Sequence, residues 1–288
     1  MRLGNLERMK NAEKVLRVLS FGGGVQSSTE LLMILHGELP CPDAVIFADP
    51  QWESAETYAW IAEMEALCIS VGLPFYRVTA GDVRGQTLSP LKERGERLFA
   101  SLPFPVANPD GKHAMLRRQC TREFKITPLV QKQRELMGMV KGERVPKTKH
   151  CEVWIGISLD EIQRVNEPRD CKWATNCYWL IEKRMTRADC IFWLKAHGYR
   201  LPPKSACVGC PFKDNAAWRD MKMNRPDEFA QAVEFDQIIR HGVRGATCPA
   251  YLHRSLIPLA EVDFRSAEDM GQLTFDGFIN ECEGMCGV

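Results

Sequence analysis

Residues 15–29 read VLRVLSFGGGVQSST. Val15, Leu16, Val18 and Leu19 form a short apolar run broken by Arg17, long enough for a β-strand. Gly22, Gly23 and Gly24 then remove three side chains in succession. Gln26, Ser27, Ser28 and Thr29 supply polar tips, and a helical apolar pattern resumes over 29–35. A strand, a glycine loop and a helix start make an anion cradle. Backbone N–H groups converge where no Cβ intervenes, and the helix N-terminus adds positive potential. A tight turn without a ligand is the alternative. No Lys follows the glycines, so this is not a Walker A loop, and the G-x-G-x-x-G spacing of dinucleotide sites is absent.

Outward from the loop, AVIFA at 44–48 is a second strand, with Asp49 at its carboxyl end, where α/β sheets present ligand-contacting side chains. Glu56, Thr57 and Tyr58 enter a helix running to about Ser70, and 74–78 is a third strand. Short apolar strands alternating with helices predict an α/β fold, a mostly parallel sheet covered on both faces. Residues 79–114 are rich in Gly, Pro and polar groups and read as a long loop or lid, with a short helix at 91–99.

The chain has 288 residues, 45% of them hydrophobic, enough for a substantial core. Its net charge of +1 neither favours nor excludes nucleic acid. No apolar run approaches 18 residues, so no membrane span is expected. The first 14 residues lack a signal-peptide core, so a cytoplasmic protein is expected. In that compartment the twelve cysteines point to thiols, metal sites or redox chemistry rather than disulfides. Cys68 reads as an ordinary buried residue.

The basic segment MLRRQCTREFKITPLVQKQREL at 115–136 crowds Arg117, Arg118, Arg122 and Lys125 around Cys120. Cations there attract phosphate or sulfate and favour a thiolate; a solvated basic helix is the alternative. VWIGISLDEIQR at 153–164 is a strand leading into a stretch whose acidic residues cap a helix. Trp173, Trp179, Phe192 and Trp193 are expected to pack the following helices onto the main body, and Arg184 and Arg187 face either an anion or solvent. KSACVGCPF at 204–212 holds Cys207 and Cys210 as C-x₂-C, a spacing that serves zinc, iron–sulfur clusters and redox dithiols alike. Next comes helix–turn–helix, its second helix burying Phe229, Val233, Ile238 and Ile239. His253 reads as structural or substrate-facing.

The loop resembles the PP-loop of the ATP pyrophosphatases and their relatives, the phosphoadenylyl and adenylyl sulfate reductases. Ser20, Gly22, Gly23, Gly24 and Ser27 fit a serine–glycine–glycine loop ending in serine; Gln26 stands where many ATP-cleaving members carry Asp. DPQWESAETY at 49–58 is similar to the second reductase motif, which implies adenosine contacts for Asp49, Glu56 and Thr57. Gly156, Asp160, Glu161 and Arg164 fit the third, with Ser158 in place of its usual arginine. Cys120, Lys125, Pro128 and Leu129 match the adenylyl sulfate reductase pattern, with Thr121 in place of its second cysteine.

The resemblance implies a Rossmann-like PP-loop domain over 1–165 and a mainly helical, cysteine-containing region over 166–288. It implies ATP or a sulfated adenosine nucleotide as ligand, held by the loop residues together with Asp49, Glu56, Thr57, Gly156, Asp160 and Glu161. Magnesium normally assists. Ser27, Arg118, Lys125 and Arg164 are the implied catalytic side chains. Cys120, Cys207 and Cys210 are implied ligands of a [4Fe–4S] cluster, with zinc as the alternative metal. The fourth position falls to Cys286, Cys282 or Cys190. The implied activity is ATP-dependent adenylation, releasing AMP and pyrophosphate, coupled to sulfur transfer or modification of a nucleic acid (DNA or tRNA) or small acceptor. A sulfur-donor or thiol-reductant protein is the expected partner, and a homo-oligomer is admitted. The rivals are thiol-dependent reduction of adenylyl or phosphoadenylyl sulfate and a non-catalytic nucleotide-binding scaffold or sensor.

Overall fold

A computed structural model of the chain describes residues 14–88, 102–107, 113–166, 168, 171–243, 246 and 248–265. The expected helix at 91–99 and the tail with Cys282 and Cys286 lie outside the described residues. Among the described residues seven strands follow in order: β1 (Lys14–Phe21), β2 (Ala44–Ala48), β3 (Phe75–Val78), β4 (Pro105–Ala107), β5 (His113–Met115), β6 (Lys149–Ile155) and β7 (Ala174–Cys177). Five form one sheet in the order β3-β2-β1-β6-β7, every pairing parallel; β4 and β5 make a separate antiparallel pair.

The helices are α1 (Val25–Leu35), α2 (Ala55–Ser70), α3 (Val83–Leu88), α4 (Thr127–Leu136), α5 (Trp179–Glu182), α6 (Arg187–Ala196), α7 (Asn215–Asn224) and α8 (Pro226–Arg240). A π-helical turn, Thr121–Ile126, runs directly into α4. The period of two along β1 sorts its side chains between faces. Leu19 and Phe21 join Val45 and Phe47 in a core covered by α1, α2 and α6. Leu16 and Val18 join Ala44 and Ile46 in the opposite core, which takes Leu129 of α4 and Met137 beyond its end. A third core gathers Trp52, Phe104, Phe124, Trp218 and Phe235 around α7 and α8.

The parallel sheet, buried on both faces, is the expected Rossmann-like architecture, and helices dominate the C-terminal region. Several local expectations change. Helix α1 starts at Val25, not Thr29: Gln26 bonds Glu161 and Ser28 accepts from the Trp60 indole, so its polar first turn is buried with partners. Phe192 is 73% exposed, since α6 buries Cys190 and Leu194 instead. Helix α8 buries Ala232, Phe235, Asp236 and Ile239, and Ile238 faces out. Asp236 accepts hydrogen bonds from the amides of Leu252 (2.8 Å) and Leu259 (3.0 Å), tying the following segment to the helix.

In the sheet, β2 lies on one side of β1 and β6 on the other. That reversal opens a crevice at the carboxyl ends of β1 and β6, where open α/β sheets bind ligands. The glycine loop and Gly156 both sit there.

Candidate functional site

Gly24 is the N-cap of α1. Its backbone is extended, no side chain caps the helix, and no acidic residue lies in the first turn. The leading amides and the helix dipole are therefore available to an anion. Ser27 shapes the loop: its hydroxyl accepts from the Gly22 amide (3.2 Å) and donates to the Gly24 carbonyl (3.3 Å). Gly156 presses against this turn; a Cβ there would stand 2.6 Å from the Ser27 nitrogen.

A cleft of about 280 Å³ opens over the loop, at the lower edge of the range for small-molecule sites. Ser20, Gly22, Gly24, Gln26, Ser27 and Gly156 line its floor. Phe47, Ala48, Leu129 and Ile155 give it an apolar wall, and Lys125, Arg164, Arg187 and Lys204 bring four cations. No Asp or Glu is among the described lining residues. Three of the four pair with carboxylates set outside the lining, Lys125 with Glu53, Arg164 with Glu161 and Lys204 with Asp214 (3.4 Å). The lining itself is thus cationic and suits an anion, while the apolar wall suits a ring system.

Acidic residues stand behind this lining. Gln26 donates to Glu161 (3.2 Å) and to Ser158 (3.5 Å). Glu161 also pairs with Arg164 at 2.6 Å, and Asp160 accepts from the Arg187 amide at 3.1 Å. Asp160 and Glu161 thus orient residues that line the cleft. Asp49 accepts from the Gln51 amide and the Tyr58 hydroxyl. Burial and that hydrogen bond push the Tyr58 pKa up. Thr57 is buried against the Ser54 cap of α2, Glu56 is exposed, and Gly23 turns its open side to Ile61 and Thr57. Asp49, Glu56, Thr57 and Gly23 do not line the cleft.

Next to it lies a smaller cavity of about 30 Å³, lined by Cys120, Cys207 and Cys210. Its other walls include Val83, Leu102, Phe124 and Phe212, with Arg118 stacked over the Phe212 ring at 5.2 Å. Arg118 therefore belongs to the cysteine cavity and not to the cleft. Lys125 lines both. Cys120 precedes the π-helical turn and Lys125 sits within it; such turns recur at functional sites. The C-x₂-C loop is anchored by the Val208 amide donating to the Trp52 carbonyl (2.8 Å). Only glycine fits at 209, where a Cβ would stand 2.1 Å from the Trp52 ring.

Three thiols on one dry cavity, with cations beside them, are a donor set suited to an iron–sulfur centre. No group of three or more His, Cys, Asp or Glu side chains that could hold a metal ion is formed among the described residues. Cys190 is not at this cavity: it is fully buried in the core under α1, and burial pushes its thiol pKa to about 12. His253 bonds Ser255 (2.7 Å) and Asn215 (3.1 Å), away from both cavities.

Of the arginine pair left open by the sequence, Arg187 lines the cleft and Arg184 does not. Lys204, Pro202 and Pro203 complete the cleft wall without a motif of their own; the one sequence signal is that they lead into the C-x₂-C. Glu53 carried no sequence signal, yet it is buried and paired with Lys125 at 3.3 Å.

No protein-family model and no curated protein matches the chain. Among solved structures, it is similar to a phosphoadenylyl-sulfate reductase from Candida auris in its phosphate complex. That match has 13% identity over 70% of this chain and 83% of the other, with a TM-score of 0.38. It is also similar to the U34-tRNA thiolase NcsA from Methanococcus maripaludis, solved with its [4Fe–4S] cluster. That match has 10% identity over 96% of this chain and 89% of the other, with a TM-score of 0.37.

Proposed function

We propose that this chain is an enzyme that binds an adenosine nucleotide by its phosphates in the glycine-loop cleft and performs sulfur chemistry with the help of the neighbouring cysteines. The observation that carries the reading is the placement of Lys125, which lines both cavities. The reaction is ATP-dependent adenylation of an acceptor. An acceptor oxygen attacks the α-phosphorus, the bond to the bridging oxygen breaks, and pyrophosphate leaves. A sulfur nucleophile then displaces AMP from the activated carbon.

The chain's own residues do the following. The amides at the start of α1 receive phosphate oxygens. Arg164, Arg187, Lys204 and Lys125 neutralise the charge that gathers on the leaving pyrophosphate. Glu161 and Asp160 keep Arg164 and α6 in place. Magnesium, where it assists, comes bound to the phosphates. Cys120, Cys207 and Cys210 would hold a [4Fe–4S] centre, which when bound offers iron to which sulfide can attach. The acceptor classes are DNA, tRNA or a small molecule, and a sulfur-donor protein is the partner.

A second reading is favoured by one feature, the four cations with no carboxylate on the described lining. They suit a sulfated adenosine nucleotide bound without a metal ion. In that reaction a thiolate attacks sulfur, the sulfur–oxygen bond to the nucleotide breaks, and a second thiol releases sulfite as a disulfide forms. Pyrophosphate release from ATP with nucleic-acid and small acceptors tests the first reading; sulfite release from adenylyl or phosphoadenylyl sulfate tests the second. Nucleotide binding without either product supports a non-catalytic subunit.

A further inference from the structure

Glu53 is a buried acid beside the two cavities. Its side chain is wholly buried, one oxygen stands 3.3 Å from the Lys125 ammonium, and the other has no hydrogen-bond partner among the described residues. A buried carboxylate with an unsatisfied oxygen is unfavourable by itself. The backbone holds it there regardless. The Glu53 amide donates to the Tyr58 hydroxyl (3.3 Å), which donates to Asp49 (2.8 Å) at the end of β2. Its neighbour Trp52 accepts from Val208 in the C-x₂-C loop. Glu53 is thus fixed between the strand end and the cysteine loop, facing Lys125, which lines both cavities.

We propose that Glu53 is a positioning residue whose carboxylate keeps the Lys125 ammonium on the wall between the cleft and the cysteine cavity. This rests on the reading of the cleft as a phosphate site. An anion entering the cleft meets a cation already partly neutralised, and Lys125 stays within reach of the cysteines. Without the acid the ammonium moves over to the anion. Ground-state binding then tightens, and the gain is not carried into the transition state.

The test is calorimetric titration of the full chain with inorganic pyrophosphate. Wild type binds, Lys125→Met binds more weakly, and Glu53→Gln binds about three- to tenfold more tightly. In the Lys125→Met background most of the gain from Glu53→Gln is lost, because Glu53 acts chiefly through that ammonium, its other charged neighbour being Lys213 behind the cysteines. Glu53→Asp, which keeps the charge, stays within about twofold of wild type. A Gln variant that binds equally or less well, the same gain in the Lys125→Met background, or an Asp variant that tightens as Gln does overturns the proposal. If Glu53→Gln does not fold, Glu53→Ala and its combination with Lys125→Met take its place: tightening in the single variant that is mostly lost in the double supports the proposal, and no tightening overturns it. Wild type that binds no pyrophosphate removes the phosphate-site reading, and this proposal with it.

Discussion

Gly156 and Ser27 meet backbone to backbone: the place a Cβ would take on Gly156 is 2.6 Å from the Ser27 nitrogen and 2.7 Å from its Cα. The end of β6 is therefore stacked on the first turn of α1, and the loop's shape depends on a missing methyl group. Gly156→Ala must push that turn away. The expected outcome is a loss of about 1–3 kcal/mol in stability, as for other overpacked sites, and at least about tenfold weaker nucleotide binding. Thermal unfolding with and without ATP, together with ATP titration, checks both; unchanged ATP affinity would remove the loop from the binding site.

Arg187 and Arg184 differ by three positions and only the first lines the cleft. Arg187→Met is expected to weaken ATP binding by about 1.5–3 kcal/mol, the range for a charge-assisted hydrogen bond. Arg184→Met should leave affinity within about twofold of wild type. Parallel titrations separate the two, and equal losses would point to general electrostatics over direct contact.

The three cavity cysteines and Cys190 make a second contrast. After anaerobic purification with iron and sulfide, Cys120→Ser, Cys207→Ser and Cys210→Ser should each lower bound iron sharply. Cys190→Ala should retain it, since that thiol lies in a separate core. Iron and acid-labile sulfide analysis gives the answer. Stoichiometric zinc with no iron would assign the thiols to zinc instead.

Glu30, one helical turn beyond Gln26, is fully buried, and both its carboxylate oxygens lack partners among the described residues. Desolvation raises its pKa from 4.5 to about 8. The folded state therefore keeps a proton that the unfolded state releases above pH 4.5. This contribution to stability is complete below that point and is lost as pH rises toward about 8. The loss is on the order of a few kcal/mol. Chemical denaturation of wild type and Glu30→Gln across that interval should show a falling stability that the variant lacks. Parallel pH profiles for the two proteins would assign the dependence to other groups.

The first strands of the sheet were the most legible part of the chain because they are short apolar runs, whereas β7 (ATNC), an edge strand with polar residues, fell in the region read as mainly helical. AVIFA is a strand of five buried residues, and the helix entered near Glu56 ends at Ser70 as read. The start of α1 was not legible. Gln26, Ser27, Ser28 and Thr29 look like loop, and their burial depends on distant partners: Glu161 for Gln26 and the Trp60 indole for Ser28. Phe192 has the composition of a packing residue, and only the rotation of α6 turns it outward. At the site, glycines and cysteines announce themselves by spacing. Lys204, Arg187 and Glu53 do not, because single charges acquire meaning only where the chain folds back on them.

Pro202 and Pro203 line the cleft and Cys207 lines the neighbouring cavity. Two adjacent prolines restrict the backbone's rotations, so this short stretch acts as a strut more than a tether. Cutting the chain here would damage both chambers together. The two chambers cannot be separated by trimming, because within a few residues one stretch of chain passes from the wall of the cleft to the wall of the cysteine cavity.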